Sequence, residues 1–80
     1  MDTTRLISTV AYEIVQDWKK PYFGAIPYLK AMLQLSTKDS KYGVEDAETI
    51  VVYFLGNANT YRGEVARRTK AELKKLVGLK

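Results

Sequence analysis

The sequence contains neither cysteine nor histidine. The chain therefore has no disulfide framework, no thiolate nucleophile, no imidazole base and no zinc site built from these residue types. Its longest uninterrupted apolar run, residues 50–55, is far shorter than the ~20 residues that a membrane-spanning helix needs. Residues 1–20 alternate polar and apolar side chains at helical spacing and lack the apolar core of a signal peptide. These absences predict a soluble, cytoplasmic protein that uses no metal, cofactor or membrane.

The candidates for catalysis are reduced to carboxylates. Glu45, Asp46 and Glu48 crowd the predicted start of one helix, and neither a nucleophile nor a phosphate-binding loop accompanies them. The helix dipole stabilises acidic side chains at this position, which explains the cluster without any catalytic role. We therefore predict that the protein is not an enzyme.

The pattern of apolar residues predicts an all-α fold. With 80 residues, of which 46% are hydrophobic, the chain has material for one domain with one core. Apolar side chains recur at three- and four-residue steps in four segments, and residues 2–4, Pro21, Pro27 and Gly78 stand where helices begin or end. The predicted helices of this compact four-helix single domain span residues 4–19, 27–35, 45–58 and 61–77.

The third of these segments carries two conflicting signals. Residues 49–54 are all good strand formers. However, apolar residues recur at helical spacing from residue 44 to residue 58, and acidic residues stand at the start of the segment, where a helix favours them. A lone strand would also have no obvious partner in this chain. We therefore predict a helix, with a strand as the alternative.

Basic residues concentrate in the last part of the sequence. Residues 61–80 carry seven of the thirteen Lys and Arg side chains and only two acidic ones. In the predicted fourth helix, three cations at i, i+3 and i+7 share one solvent-facing stripe, and two further cations flank it. Such a stripe suits a nucleic-acid phosphate backbone, and the alternative is a solvated face whose late cations complement the helix dipole. The predicted nucleic-acid-binding residues are Arg67, Lys70 and Lys74 on the stripe, with Arg68 and Lys75 beside it.

Arg62 is predicted to differ from the other cations. The helical wheel places it beside the buried face, and the first turn of a helix disfavours positive charge. We therefore expect it to have an anionic partner. One interpretation is a structural ion pair with Asp46, Asp17 or Glu13, and the other is a phosphate ligand.

Exposed aromatic residues are the second candidate binding feature. The chain has six tyrosines, of which several point away from the predicted apolar stripes. Exposed aromatic rings supply contact area at low entropy cost and stack on bases, although in a small domain they also cover the rim of the core. The candidate partner-binding residues are Tyr12, Tyr53 and, in the loop at 21–28, Tyr22 and Phe23, with Tyr42 as the alternative to Tyr22.

Several short motifs are spread between residues 17 and 73. They are Asp17-Trp18, the run at 22–29, Ala31-Met32, Tyr42-Gly43, Tyr53-Phe54-Leu55, Asn57-Ala58 and the run at 62–68. Together they resemble small uncharacterised proteins of bacteriophages and mobile elements, with Tyr61 where that pattern has tryptophan. The resemblance implies a short accessory protein in a cytoplasmic host, which acts by occupying DNA, a host enzyme or a defence complex. It assigns no catalytic or ligand-binding residue.

The sequence thus predicts a non-catalytic binding module that contacts nucleic acid or a nucleoprotein through the basic face of its last helix. The alternative is a protein-binding inhibitor or adaptor that acts on a host enzyme or defence complex through its exposed tyrosines and the 21–28 loop. Salt distinguishes the two, because binding to nucleic acid weakens steeply with salt and binding through aromatic anchors does not.

Overall fold

The computed structural model describes residues 5–79, which form four α-helices and one short antiparallel ribbon of two strands. The helices are α1 (Ile7–Asp17), α2 (Ile26–Met32), α3 (Ala47–Gly56) and α4 (Glu64–Leu76), and a 3₁₀ turn, Phe23–Ala25, leads into α2. The ribbon consists of β1 (Lys41–Tyr42) and β2 (Glu45–Asp46). The prediction of a mostly helical fold is confirmed, and the ribbon is a departure from the all-α class.

α3 forms from strand-favouring residues because burial outweighs local propensity. Ala47, Ile50, Val51 and Phe54 are all buried, and their spacing is that of one helical face. The predicted helix in this segment is therefore confirmed. It is shorter than expected, because it begins two residues later than position 45 and ends two residues before position 58.

The ribbon replaces the predicted start of the third helix. Lys41 pairs with Asp46 and Tyr42 with Glu45, and the turn between them passes through Gly43 at φ 64°. Glycine adopts this left-handed conformation without the steric penalty that a Cβ atom imposes. An ion pair of 3.6 Å between Lys41 and Asp46 also joins the two strands. Glu45 and Asp46 are consequently strand residues, and the helix starts only after the ribbon ends.

The other helices are also shorter than predicted. The first two amides of α1, at Ile7 and Ser8, donate to carbonyls of the 35–36 segment at 2.9 Å, so this segment takes the place of N-cap side chains. The predicted caps at residues 2–4 lie outside the described residues. α2 ends at Met32 and not at residue 35. α4 begins at Glu64 and not at residue 61, because Gly63 at φ 115° interrupts the helical conformation.

The core is shared by all four helices. α1 packs against α4 and α2, and α2 packs against α3. Trp18, directly after α1, meets Phe54 of α3 edge-on with ring centroids 6.3 Å apart and stacks on Tyr61 at 4.8 Å. Tyr61 thereby fixes the chain just before α4. The largest fully buried side chains are Phe54, Ile7, Ile14, Met32, Leu35, Leu73, Val10, Val51 and Thr69.

Candidate nucleic-acid interface

On the side of α4 that faces α1, charged side chains of opposite sign pair with one another. Arg68 forms an ion pair with Glu13 of α1. Glu13 also accepts a hydrogen bond of 2.8 Å from Arg5, and the Nε of Arg5 donates to Glu72 of α4 at 2.9 Å. We call these four residues the α1–α4 ion network. It joins two helices and leaves Arg68 with its charge already balanced.

Hydrogen bonds from the arginines keep both carboxyl groups of this network ionised. Arg68 and then Arg5 hold the pKa of Glu13 below its usual value, and Arg5 does the same for the pKa of Glu72. Arg5 is not among the site residues predicted from the sequence. No local signal could have identified it, because Glu72 lies 67 positions away in the chain.

A second side of α4 carries cations without carboxylates. These cations surround a shallow depression of about 490 Å³, which we call the basic depression. Among residues 5–79, no acidic side chain lines it or forms an ion pair with its cations. It therefore concentrates positive charge at one place on the surface. Its lining residues are Tyr61, Arg62, Gly63, Arg67, Lys70, Ala71 and Lys74.

The stripe predicted that Lys70 points freely into solvent. Instead, its side chain is held against the backbone that lines this depression. Its Nζ donates to the carbonyl oxygens of Ala58 and Tyr61, both at 2.6 Å, and lies 5.6 Å from the centroid of the Tyr61 ring. An ammonium group has three N–H donors, so one remains for an external anion. Burial, and after it the charges of Arg62 and Lys74, lower the pKa of Lys70.

Arg62 is exposed, so the expectation that it lies beside the buried face is wrong. The wheel assumed a helix from residue 61, but the break at Gly63 places Arg62 in the preceding connection. None of its three expected partners pairs with it: Asp46 pairs with Lys41, Asp17 accepts the Tyr61 hydroxyl, and Glu13 belongs to the α1–α4 ion network. The Nε of Arg62 instead donates to the carbonyl oxygen of Asn59 at 3.3 Å.

Comparisons with protein-family models, with curated proteins and with solved structures find no match for this chain. The resemblance to bacteriophage and mobile-element proteins therefore stays a prediction, and the site is interpreted from its geometry alone. Two further findings concern residues 5–79. No helix within these residues is long and apolar enough to cross a membrane. These residues also form no cluster of three or more potential metal ligands of the carboxylate, imidazole or thiolate type.

The aromatic candidates are exposed, as predicted. The exposed fraction is 77% for Phe23, 60% for Tyr12, 50% for Tyr53 and 44% for Tyr22. The structure brings only two of the four into contact with each other: the rings of Tyr22 and Phe23 have centroids 4.9 Å apart, whereas Tyr53 packs against Tyr28 at 5.5 Å. Tyr22 and Phe23 are thus a paired aromatic feature at the entrance to α2.

Proposed function

We propose that this protein binds the phosphate backbone of a nucleic acid at the basic depression. The observation that carries the proposal is a group of four cations around one concave surface, in whose lining residues 5–79 place no carboxylate. On the side of the same helix that faces α1, by contrast, Arg68 is paired with Glu13. The cations that line the depression differ from Arg68 in that none of them forms an ion pair within residues 5–79.

Mutual repulsion among these cations supports an anionic ligand. The effect of Arg62 and Lys74 on the pKa of Lys70 is that of like charges in close proximity. A phosphate group in the depression reduces this repulsion and accepts hydrogen bonds from several donors. The depression is also open and shallow, which suits a polymer that runs across the surface better than a small molecule that needs to be enclosed.

The four cations have different roles in this proposal. Arg62, Arg67 and Lys74 are exposed and contact phosphate groups directly. Lys70 is positioned by two carbonyl groups and supplies a fixed donor at the floor. Phosphate contacts set the register and orientation of a protein on nucleic acid but carry no sequence information, so we expect little base preference from these residues.

Fluorescence anisotropy of a labelled duplex, measured over a series of salt concentrations, tests the proposal. About four phosphate contacts predict a slope of roughly −3 to −4 for log affinity against log salt. Arg67→Gln together with Lys74→Gln should flatten this slope by about 2. Lys74→Gln alone is compared with Lys75→Gln as its matched control, because Lys75 is an exposed cation next to Lys74 that does not line the depression.

Two results would contradict the proposal. One is the absence of measurable binding of the wild-type protein to duplex or single-stranded nucleic acid at low salt. The other is an equal effect of the substitutions at Lys74 and Lys75, which would mean that net charge alone drives binding. Circular dichroism of each variant serves as the folding control, since the substituted side chains are exposed.

A protein-binding inhibitor or adaptor is the second candidate function. The observation that favours it is the exposure of Tyr12 on α1 and Tyr53 on α3, because neither ring lines the basic depression. A complex built on such rings should persist at salt concentrations that abolish binding to nucleic acid. Co-purification of a partner from nuclease-treated bacterial lysate, lost on Tyr12→Ser and Tyr53→Ser but retained on Lys74→Gln, would support this function over the first.

A further inference from the structure

The connection between α3 and α4 lines a second depression next to the basic one. This depression has a volume of about 260 Å³ and is formed by Tyr22 together with the connection residues Gly56, Asn57, Asn59 and Thr60. The next residues along the same connection, Tyr61 to Gly63, line the basic depression. We call the second one the aromatic depression.

Arg62 lies at the boundary between the two depressions. It lines the basic depression, and its Nε is 3.3 Å from the carbonyl oxygen of Asn59, which lines the aromatic depression. A phosphate group bound by the remaining N–H donors of this guanidinium is therefore adjacent to the aromatic depression. The contact between Arg62 and Asn59 thus links the edge of the charged surface to the edge of the aromatic one.

The ring of Tyr22 lies against Gly24 and lines this depression. A Cβ atom at Gly24 would lie 2.6 Å from Cε2 of Tyr22 and 2.9 Å from Oδ1 of Asn57, so only glycine leaves room for this arrangement. The amide of Ala25 donates to the carbonyl oxygen of Tyr22 at 2.9 Å and closes the turn that carries Phe23. Both aromatic residues thus stand at the start of a hydrogen-bonded turn.

Packing in the core does not explain the position of Phe23. Its side chain is 77% exposed, and its ring touches that of Tyr22 beside the aromatic depression. Large exposed aromatic rings beside a basic groove are typical of surfaces on which unpaired bases stack. In a duplex the base faces are covered by neighbouring base pairs, so only a single strand presents a face to this ring. The polar side chains of Asn59 and Thr60 are exposed in the same depression and suit base edges and sugars.

We propose that the protein prefers single-stranded nucleic acid, with the strand's phosphates in the basic depression and one base stacked on Phe23 and Tyr22 at the aromatic depression. This inference rests on the proposed function, because the phosphate contacts supply the charged half of the site. It adds a discrimination between single and double strands that the cations alone do not provide. Stacking is tolerant of base identity, since every base has a π-face.

The test compares the affinity of the full chain for oligothymidylate, oligouridylate and duplex DNA of equal length. We expect both single strands to bind more tightly than the duplex, and the two single-stranded probes distinguish DNA from RNA through the 2′-hydroxyl group. Phe23→Ala should weaken single-strand binding by about fivefold or more and leave duplex binding and the salt slope unchanged, because stacking involves no counterion release. Tyr12→Ala is the matched control, since this exposed ring lines neither depression.

A spectroscopic variant gives a second measurement. Phe23→Trp retains a ring for stacking, so it should preserve single-strand affinity and show quenching of its fluorescence when oligothymidylate binds. The native Trp18 is only 8% exposed, and its fluorescence forms the background signal. This background is measured separately in the Phe23→Ala variant.

The outcomes separate the two proposals. If Arg67→Gln with Lys74→Gln weakens binding but Phe23→Ala does not, the basic depression binds nucleic acid and the stacking inference is wrong. Equal affinity of the wild-type protein for single strand and duplex also overturns the inference. If no probe binds at low salt, the proposed function fails and the inference fails with it.

Discussion

Deprotonation of Tyr61 should destabilise the fold at alkaline pH. Its side chain is 2% exposed, stacks on Trp18 and donates a hydrogen bond of 2.9 Å to Oδ2 of Asp17. Burial, and after it the hydrogen bond to Asp17, raises the pKa of Tyr61 from the ordinary 10.0 to about 12. The neutral phenol is thus required in the folded state, and its ionisation places a charge among apolar rings and next to a carboxylate.

The sign and size of the effect follow from this shift. The unfolded chain loses the Tyr61 proton near pH 10, whereas the folded chain keeps it until about pH 12. The folded state binds more protons in this window, so the free energy of unfolding falls as pH rises through it. A shift of two units corresponds to roughly 2–3 kcal/mol, a large part of the stability of a small domain.

Urea unfolding between about pH 9 and pH 12, compared between the wild type and Tyr61→Phe, measures this contribution. At neutral pH the variant should be less stable by roughly 1 kcal/mol, because it lacks the hydrogen bond to Asp17. Across the alkaline window, however, it should lose roughly 2–3 kcal/mol less than the wild type. Lys70 and the other titrating groups are present in both proteins, so the comparison isolates the phenol. An equal loss of the free energy of unfolding at alkaline pH in the two proteins would refute the reasoning.

Three further predictions concern the ion network, the aromatic depression and the core. Because the pKa values of Glu13 and Glu72 are lowered, the stabilisation that they provide is complete above the ordinary carboxyl pKa and is lost as pH falls through the lowered values. In an acid titration, the free energy of unfolding of Glu13→Gln should therefore fall less than that of the wild type. Gly24→Ala should displace the ring of Tyr22 and weaken single-strand binding. Leu73→Ala, at a fully buried position, should lower the free energy of unfolding by about 2–5 kcal/mol in urea titrations.

Sequence patterns identified the helical segments where burial repeats along one element. α3 was predictable despite its strand-favouring residues, because the period of its apolar positions covers the whole helix. The ribbon at 41–46 was not, because strands of two residues are too short to show a period. Their position depends on the conformation of Gly43 and on pairing across the turn. The start of α1 was displaced for a similar reason, since backbone contacts from residues 35–36 take the place of capping side chains.

Some features of the candidate site could also be predicted from the sequence, and others could not. The spacing of Arg67 and Lys74 placed them correctly on one face, because that relation is local to the helix. The sequence could not show which cations have a carboxylate partner, since the carboxylate that pairs with Arg68 lies 55 positions away. The sequence placed Phe23 in a loop, whereas it begins a 3₁₀ turn, and its location next to the aromatic depression depends on how the α3–α4 connection folds.

The α1–α4 ion network has a consequence for the lifetime of the native state. It joins segments up to 67 positions apart in the chain, and contacts of such separation form against a large loop-closure entropy. The pairing of α2 with α3 is closer along the sequence, so we expect it to precede the docking of α1 on α4.

Contacts that form after the transition state govern the unfolding rate and leave the folding rate nearly unchanged. Stopped-flow kinetics of Glu13→Gln should therefore show faster unfolding at an almost unchanged rate of folding, and a slowed folding phase would place the network in the transition state instead. On this view the ion pairs that link α4 to Glu13 of α1 and to Arg5 just before it determine mainly how long the folded molecule persists, and affect little how quickly it forms.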